Sequence, residues 1–287
     1  MTLDADAFAA DRPRLFAIAY RMVGVAADAE ELIQETWLRL QERGAEPDDL
    51  GAYSTRVLTR LCIDHMRSAR VRRESYVGPW LPEPLRTGSS DRGGDPERAL
   101  AMAQSAQIAF LLVLERLGPV ERAVFLLREV FDYDYAAISD LVGKREDACR
   151  QVARRARERV RGARPVTSAE PGAHAALLGA FFAAAAGGDA AALESMLTDD
   201  AVLLSDGGGV VTAALRPILG PVHIARFAVG TSRKNVGLRP EVATLNGHTA
   251  LLLWRDDALY STVQFDIRGE RIQAIYIVRN PAKLRRL

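Results

Sequence analysis

Four polar side chains, Arg150, Gln151, Arg154 and Arg155, are spaced so that a helix would project them from one outward side. Guanidinium groups there can contact phosphates or chelate guanine, and a carboxamide can read adenine. A second basic row, Arg56, Arg60, Arg67 and Arg70, is extended by Arg72 and Arg73. Glu30, Glu31, Gln34 and Glu35 form an acidic row that is either a solvated surface or a dock for a basic partner. Candidates for acid–base work lie late in the chain: Asp206, Asp256, Asp257, Asp266, His223, His248, Tyr260 and Tyr276. General acid–base catalysis would need a carboxylate base facing an acidic donor in an apolar pocket, and none of these spacings points to one. Asp206-Gly-Gly-Gly lacks the Gly-Lys-Ser/Thr of a phosphate loop and reads as a turn. Cys62 and Cys149 lie in expected helices without a CxxC or Cys/His cluster, so both read as reduced structural thiols. No metal site and no cofactor are expected.

The arginines at 150–155 need a helix to carry them, and 134–161 reads as a helix-turn-helix. Asp134 suits a cap, Ile138, Leu141 and Val142 are apolar at helical spacing, and Gly143 suits C′. From Glu146 a second helix would bury Cys149, Val152, Ala153, Ala156 and Val160. Residues 144–164 hold nine Lys/Arg against three acids, a charge suited to phosphate contacts. Helices are also expected at 108–114 and from Val120, with Pro119 near N1, and a further one from Pro96.

The basic row at 56–70 belongs to a helix over about 50–70, with Val57, Leu58 and Leu61 on another side. Before it, Leu15, Phe16, Ala19, Met22 and Val23 make one stripe closed by Gly24. A helix capped by Asp28 then buries Leu32, Ile33, Thr36, Trp37 and Leu40. The formal net charge of +1 conceals opposed blocks: residues 1–50 hold five basic and eleven acidic groups, and 51–73 six and one. Two basic helices in separate blocks suggest two contacts on one nucleic acid.

The 22 residues between Glu74 and Asp95 are dense in proline and glycine, which excludes helix and strand. At ~3.3 Å per residue they could reach ~70 Å, about two turns of duplex DNA. Trp80 in such a tether would be unfavourably exposed, so Trp80-Leu81-Pro82-Glu83-Pro84 is expected to dock on another surface. A second linker covers 164–171. Beyond it the chain becomes alanine-rich, with helices at 174–186 and 189–197, short strands at 201–205 and 210–215, and a helix near 222–229. Strands at 249–255, 259–267 and 272–278 end the chain, an α+β cone with an antiparallel sheet. The N-terminus lacks a basic region followed by an apolar core, and no apolar run is long enough to span a bilayer, so a cytoplasmic protein with no membrane contact is expected. At 287 residues and 48 % hydrophobic content the chain reads as multidomain.

The segment from Leu117-Gly-Pro-Val-Glu-Arg-Ala-Val-Phe-Leu-Leu-Arg-Glu through Tyr135-Ala-Ala-Ile-Ser-Asp-Leu-Val-Gly to the Arg-Ala-Arg-Glu-Arg run at 155–159 resembles region 4 of extracytoplasmic-function sigma factors. Asp28-Ala-Glu-Glu-Leu-Ile-Gln-Glu-Thr-Trp-Leu-Arg-Leu and Asp64-His-Met-Arg-Ser-Ala-Arg resemble region 2. The resemblance implies two all-α domains: region 2 over 1–75, a linker over 76–95, and region 4 over 96–163. It implies that Asp28, Glu31, Gln34 and Glu35 bind the β′ clamp of RNA polymerase, and that the β subunit is a further partner in the core enzyme. It also implies that Arg56, Arg60, Asp64, Arg67, Arg70 and Arg72 engage the −10 element of promoter DNA. Arg145, Arg150, Gln151, Arg154 and Arg155 would then read the −35 element. Arg60, where many relatives carry a smaller polar residue, and Lys144-Arg145-Glu146-Asp147 in the turn depart from the family pattern and bear on base preference.

Residues 172–287 resemble the SnoaL-like domain, related to ketosteroid isomerase, which a subgroup of these sigma factors carries fused. Three short motifs of that subgroup are present: Trp80-Leu81-Pro82-Glu83-Pro84, Asp206-Gly207-Gly208-Gly209, and Asn280-Pro281-Ala-Lys283-Leu284. Val210 stands where relatives often have Lys. The resemblance implies regulation in cis, the tail contacting the linker, with its sign left open. The alternatives are a small-molecule enzyme fused to a DNA-binding module and a one-component regulator that senses a ligand through the cone.

Overall fold

The computed structural model describes residues 5–42, 47–87, 106–161 and 171–287. Contacts divide the chain into two compact units. One comprises 1–74 with 111–164, the other 75–110 with 165–287. The helix expected from Pro96 lies outside the described residues.

In the first unit, α1 (Ala5–Val23), α2 (Ala26–Glu42) and α3 (Leu50–Glu74) pack on one another. Their apolar stripes meet over Leu15, Ile18, Met22, Ile33, Leu40 and Leu58, all essentially inaccessible. Helix α2 begins two residues before the expected cap, so Asp28 sits in its first turn, where His65 Nε2 lies 3.0 Å from its Oδ2. Trp37 is only half-buried and packs on Phe8, ring centroids 4.9 Å apart.

After α4 (Ile108–Leu114) and α5 (Pro119–Glu129), α6 (Tyr135–Val142) and α7 (Glu146–Arg161) form the helix-turn-helix. Asp134 accepts from Ala137 N at 2.7 Å, and Gly143 closes α6 in the left-handed region at φ 67°. The stripe Cys149, Val152, Ala153, Ala156 and Val160 is buried as the spacing predicts. Burial pushes both cysteine thiols above their ordinary pKa.

The second unit is the cone. Helices α8 (Pro171–Gly187), α9 (Ala190–Ser195, capped by Asp189) and α10 (Pro221–Lys234) cover one face of a six-stranded sheet. The strands are β1 (Leu197–Asp206), β2 (Ile218–Leu219), β3 (Arg239–Leu245), β4 (His248–Arg255), β5 (Ala258–Arg268) and β6 (Arg271–Val278), in the order β2-β1-β6-β5-β4-β3. The sheet is mixed and not antiparallel as expected: β1 runs parallel to β6, Leu203 opposite Ile275, because the chain returns to the sheet centre only after the β3–β5 meander. No strand forms over 210–215. Turn and irregular chain follow Asp206, with Gly208 and Gly209 at φ 64° and 74°, and pairing resumes only at Ile218.

Strand β3 was not expected. It is a polar edge strand, and the alternation that marks β5 is weak in it. Asn246 and Gly247, both at positive φ, form the two-residue hairpin loop that aligns β3 with β4. No helix among the described residues is long and apolar enough to cross a membrane.

Candidate nucleic-acid surfaces, a buried linker clasp and a cavity

On α7, the buried stripe turns the rest of the helix outward, so Arg150, Gln151, Arg154 and Arg155 are exposed. Arg150 bonds Glu146 and stands 4.7 Å from the Tyr135 ring centroid, while Arg154 lies 3.8 Å from Glu158. Arg157 and Arg159 are instead paired with another helix, α5, bonded to Glu129 at 2.8 Å and to Glu121 at 2.5 Å, the Arg159 side chain remaining exposed. Arg145 is exposed in the turn, 3.2 Å from Asp147.

On α3, Arg60, Asp64 and Arg67 are exposed, and Arg67 donates to Asp64 at 2.8 Å. Arg56 is half-buried, 3.9 Å from Asp140 of α6. The side chains of Arg70, Arg72 and Arg73 lie outside the described residues. On α2, Glu31 and Gln34 are exposed, Glu35 holds Arg39 at 2.9 Å, and Asp28 is held by His65.

The two helical blocks close on each other inside one unit. Arg14 bridges Asp11, Thr55 and the Tyr133 hydroxyl. Arg122, nearly inaccessible, donates to Met22 O at 2.7 Å and Leu114 O at 3.1 Å, and pairs with Glu115 at 2.8 Å. Helix α3 packs on α6, so the two basic surfaces are not spread to the reach of an extended tether.

The tether itself is bound to the cone. Trp80 is half-buried, Leu81 to Pro84 are buried, and Arg86 makes an antiparallel bridge to Leu245, a pairing that the proline-rich composition did not lead us to expect. Backbone groups before and after the prolines remain free to pair: Asn246 N donates to Leu85 O at 2.8 Å and Thr87 N to Thr244 O at 2.9 Å. Buried Asn246 accepts from Leu85 N at 3.1 Å and donates to Ala106 O at 2.9 Å.

At the centre of this clasp lies Asp206, fully buried at the end of β1. Its Oδ1 accepts from the Tyr76 hydroxyl at 2.5 Å and Gly208 N at 3.0 Å; its Oδ2 accepts from Leu81 N at 2.9 Å and Lys283 Nζ at 2.7 Å. Lys283 Nζ also donates to Leu81 O at 2.5 Å and sits over the Trp80 ring, 4.4 Å from its centroid. Asn280 donates to Tyr76 at 3.0 Å and caps the terminal 3-10 turn, Pro281–Lys283, through Ala282 N. Gly208 is required: a Cβ there would lie 2.4 Å from the Asn280 amide nitrogen. Gly207 is equally confined, by Val211 O at 2.5 Å, and Gly209 approaches Val77. Leu284 is buried, and Glu83, buried too, has Arg286 at 4.0 Å. The three motifs singled out in the sequence thus meet in one place. Tyr76 and Asn246 were missed; the Asn-Gly pair at 246–247 was a readable turn signal.

Of the eight acid–base candidates only His248, Asp266 and Tyr276 come together, and the other five lie apart from them. Asp206 belongs to the clasp, Asp256 and Asp257 are exposed in a turn, and His223 is exposed on α10. Asp266 and Tyr276 share a small cavity with His248 and Gln264, on the strand positions that alternate with the core residues Phe265 and Ile275. Burial lowers the pKa of His248 to about 4, helped by His174, and pushes the Tyr276 hydroxyl up. Under the helices lies a second cavity, of about 480 Å³. Its lining includes Phe181, Phe182, Ser205, Phe227, Tyr260 and Arg279, and contains no carboxylate.

Residues 7–72 match the family model for Sigma-70 region 2, and residues 107–160 that for Sigma-70, region 4. The chain is 35 % identical to the ECF RNA polymerase sigma factor SigJ of Mycobacterium tuberculosis, covering 98 % of this chain and 93 % of that one. It is 36 % identical to the probable ECF RNA polymerase sigma factor SigI of the same species, over 61 % of this chain and 60 % of the relative. The crystal structure of Mycobacterium tuberculosis SigJ superposes with a TM-score of 0.78 and 31 % identity, covering 98 % of both chains.

Proposed function

The chain belongs to the extracytoplasmic-function RNA polymerase sigma factors, and from that premise we propose a division of labour among its segments. It directs core polymerase to promoters for transcription initiation. The exposed Glu31 and Gln34 of α2, with Asp28 and Glu35, dock on the polymerase β′ clamp. Arg56, Arg60, Asp64 and Arg67 of α3, with Arg70 and Arg72, engage the −10 element. The outward residues of α7, Arg150, Gln151, Arg154 and Arg155, with Arg145 before them, enter the major groove at −35.

Regulation in cis is carried by one observation: the linker that must pay out between the two DNA-binding blocks is held on the buried Asp206–Lys283 pair. The blocks meanwhile are packed together through α3 and α6. Two elements two turns of duplex apart lie ~70 Å from each other. Reaching both demands that α3 and α6 part, and the clasp sets how readily the linker follows. A catalytic role for the cone finds no support in the larger cavity, whose lining offers no carboxylate base.

The test uses the full chain with purified core polymerase and promoters selected from fragmented genomic DNA. Discrete initiation sites are expected with the wild type, and altered output from the same promoters with Lys283→Met. Failure to copurify with core polymerase would sink the polymerase assignment; identical output from the variant would sink regulation through the clasp.

A further inference from the structure

The 480 Å³ cavity of the cone has the size of a small-molecule site. Its body is apolar, walled by Phe181 and Phe182 of α8, Phe227 of α10, Val263 of β5 and Ile275 of β6. Its polar end is cationic. Lys234 and Arg279 line it, no Asp or Glu does, and Arg279 has no carboxylate partner among the described residues. The Arg279 guanidinium lies 4.3 Å from the Tyr260 ring centroid and donates through Nη1 to Thr212 O, while its buried Nε finds no acceptor. The Tyr260 hydroxyl donates to Asn235 Oδ1 at 2.6 Å, which holds the stacking ring in place.

A guanidinium and an ammonium lining an otherwise apolar chamber that contains no carboxylate match an apolar molecule that carries an anionic oxygen pair. A carboxylate presents two coplanar oxygens that suit the guanidinium, and the Lys234 ammonium in the same lining adds attraction without fixing a direction. We propose that the cone binds an apolar carboxylic acid, carboxylate at Arg279 and hydrocarbon body against the three phenylalanines, and that occupancy is transmitted to the linker clasp.

The route of transmission is two strand ends that serve both sites. Ser205 lines the cavity, and its neighbour Asp206 is the centre of the clasp. Ile277 and Arg279 line the cavity, and the next residue, Asn280, holds Tyr76. The backbone N–H groups of Arg279 and Asn280 both donate to Asp206 O, at 2.7 and 2.9 Å. Any shift of Arg279 toward a ligand therefore acts directly on the strand pair that presents Asp206 and Lys283. The transmission rests on the reading of the clasp given above; the binding site does not.

Calorimetric titration of the full chain with decanoate and with decanol tests the site. One decanoate per chain is expected, bound about tenfold more tightly than decanol. Arg279→Gln should erase that preference, and Ala228→Trp should abolish binding of both. Nuclear Overhauser contacts from decanoate to the Phe181 and Phe182 rings in the unsubstituted chain provide a check independent of any variant. Equal affinity for acid and alcohol, or absence of those contacts, would overturn the site. Hydrogen exchange at Leu81 N–H should change when decanoate is bound; unchanged exchange at saturation would overturn the transmission. Should decanoate bind as expected while Lys283→Met leaves transcription unaltered, the clasp reading fails, the transmission with it, and the binding site stands.

Discussion

Lys283 Nζ lies 2.7 Å from Asp206 Oδ2, with side-chain exposures of 7 % and 0 %, although 77 residues separate them in the chain. Both charges are removed from water, and each is completed by linker groups: Leu81 N and the Tyr76 hydroxyl for the carboxylate, Leu81 O and the Trp80 ring for the ammonium. The pair therefore recognises the linker more than it glues the cone, since a buried ion pair contributes little net stability by itself.

Removing one member is the severe change. Lys283→Met leaves a buried carboxylate without its cation and is expected to destabilise the cone unit by about 3–5 kcal/mol. Combining it with Asp206→Asn should cost less than Lys283→Met alone, because no uncompensated charge remains. Denaturant unfolding of the single and double variants beside the wild type reads this directly; a double variant worse than the single would refute it.

Gly208 combines φ 64° with an Asn280 side chain where a Cβ would go. Gly208→Ala is expected to cost at least about 1 kcal/mol and to speed exchange of Leu81 N–H, because the displaced Asn280 and the strained residue 208 both hydrogen-bond to Asp206, the acceptor of that amide. Gly230→Ala, with nothing within 4 Å of its added Cβ, serves as the control and should leave that amide protected.

Closure of the helical unit depends on buried contacts and hardly on the exposed pair. Arg122, with 5 % side-chain exposure, ties α5 to Met22 of α1, whereas Arg56 and Asp140 are 42 % and 72 % exposed and 3.9 Å apart. Asp140→Ala should change stability by under about 1 kcal/mol. Arg122→Met, which removes the donor to two buried carbonyls, Met22 O and Leu114 O, should cost about 3 kcal/mol. Thermal unfolding distinguishes them, and 1 M salt should leave the unit closed.

His248 provides a pH signature. Its folded-state pKa of about 4 lies below the ordinary 6.5, through burial and the neighbouring His174. The neutral ring is thus favoured by folding: its contribution is complete above pH 6.5 and is lost as pH falls toward 4, by up to about 3 kcal/mol less the effect of partial exposure. His248→Gln should flatten the fall in unfolding midpoint over that window.

On DNA, the outward residues of α7 should separate by kind. Gln151→Ala is expected to relax the preference at one base pair by about 1–3 kcal/mol, and Arg155→Ala to weaken binding uniformly with a shallower salt dependence if its contact is to phosphate. Promoter selection with the holoenzyme at two salt concentrations measures both.

The helix-turn-helix was legible because everything that makes it is local: Asp134 bonds three residues on, Gly143 supplies the left-handed stop, and the stripe on α7 repeats within one helix. Strand β3 was not, since a polar edge strand carries half of the alternation and its register comes from Asn246 and Gly247.

The sequence by itself determined which short segments matter: Trp80 stood out as a large apolar ring in a proline-rich tether, and the Asp206 and Asn280 motifs through their resemblance to the subgroup with a fused cone. Only the tertiary structure decided that these three meet around one buried carboxylate, that β1 runs parallel beside β6, and that the cone holds a cationic cavity with no acid in it. The reason is physical. Caps and helical stripes are set by bonds spanning three or four residues, whereas a buried ion pair and a cavity exist only after strands distant in sequence have chosen their neighbours.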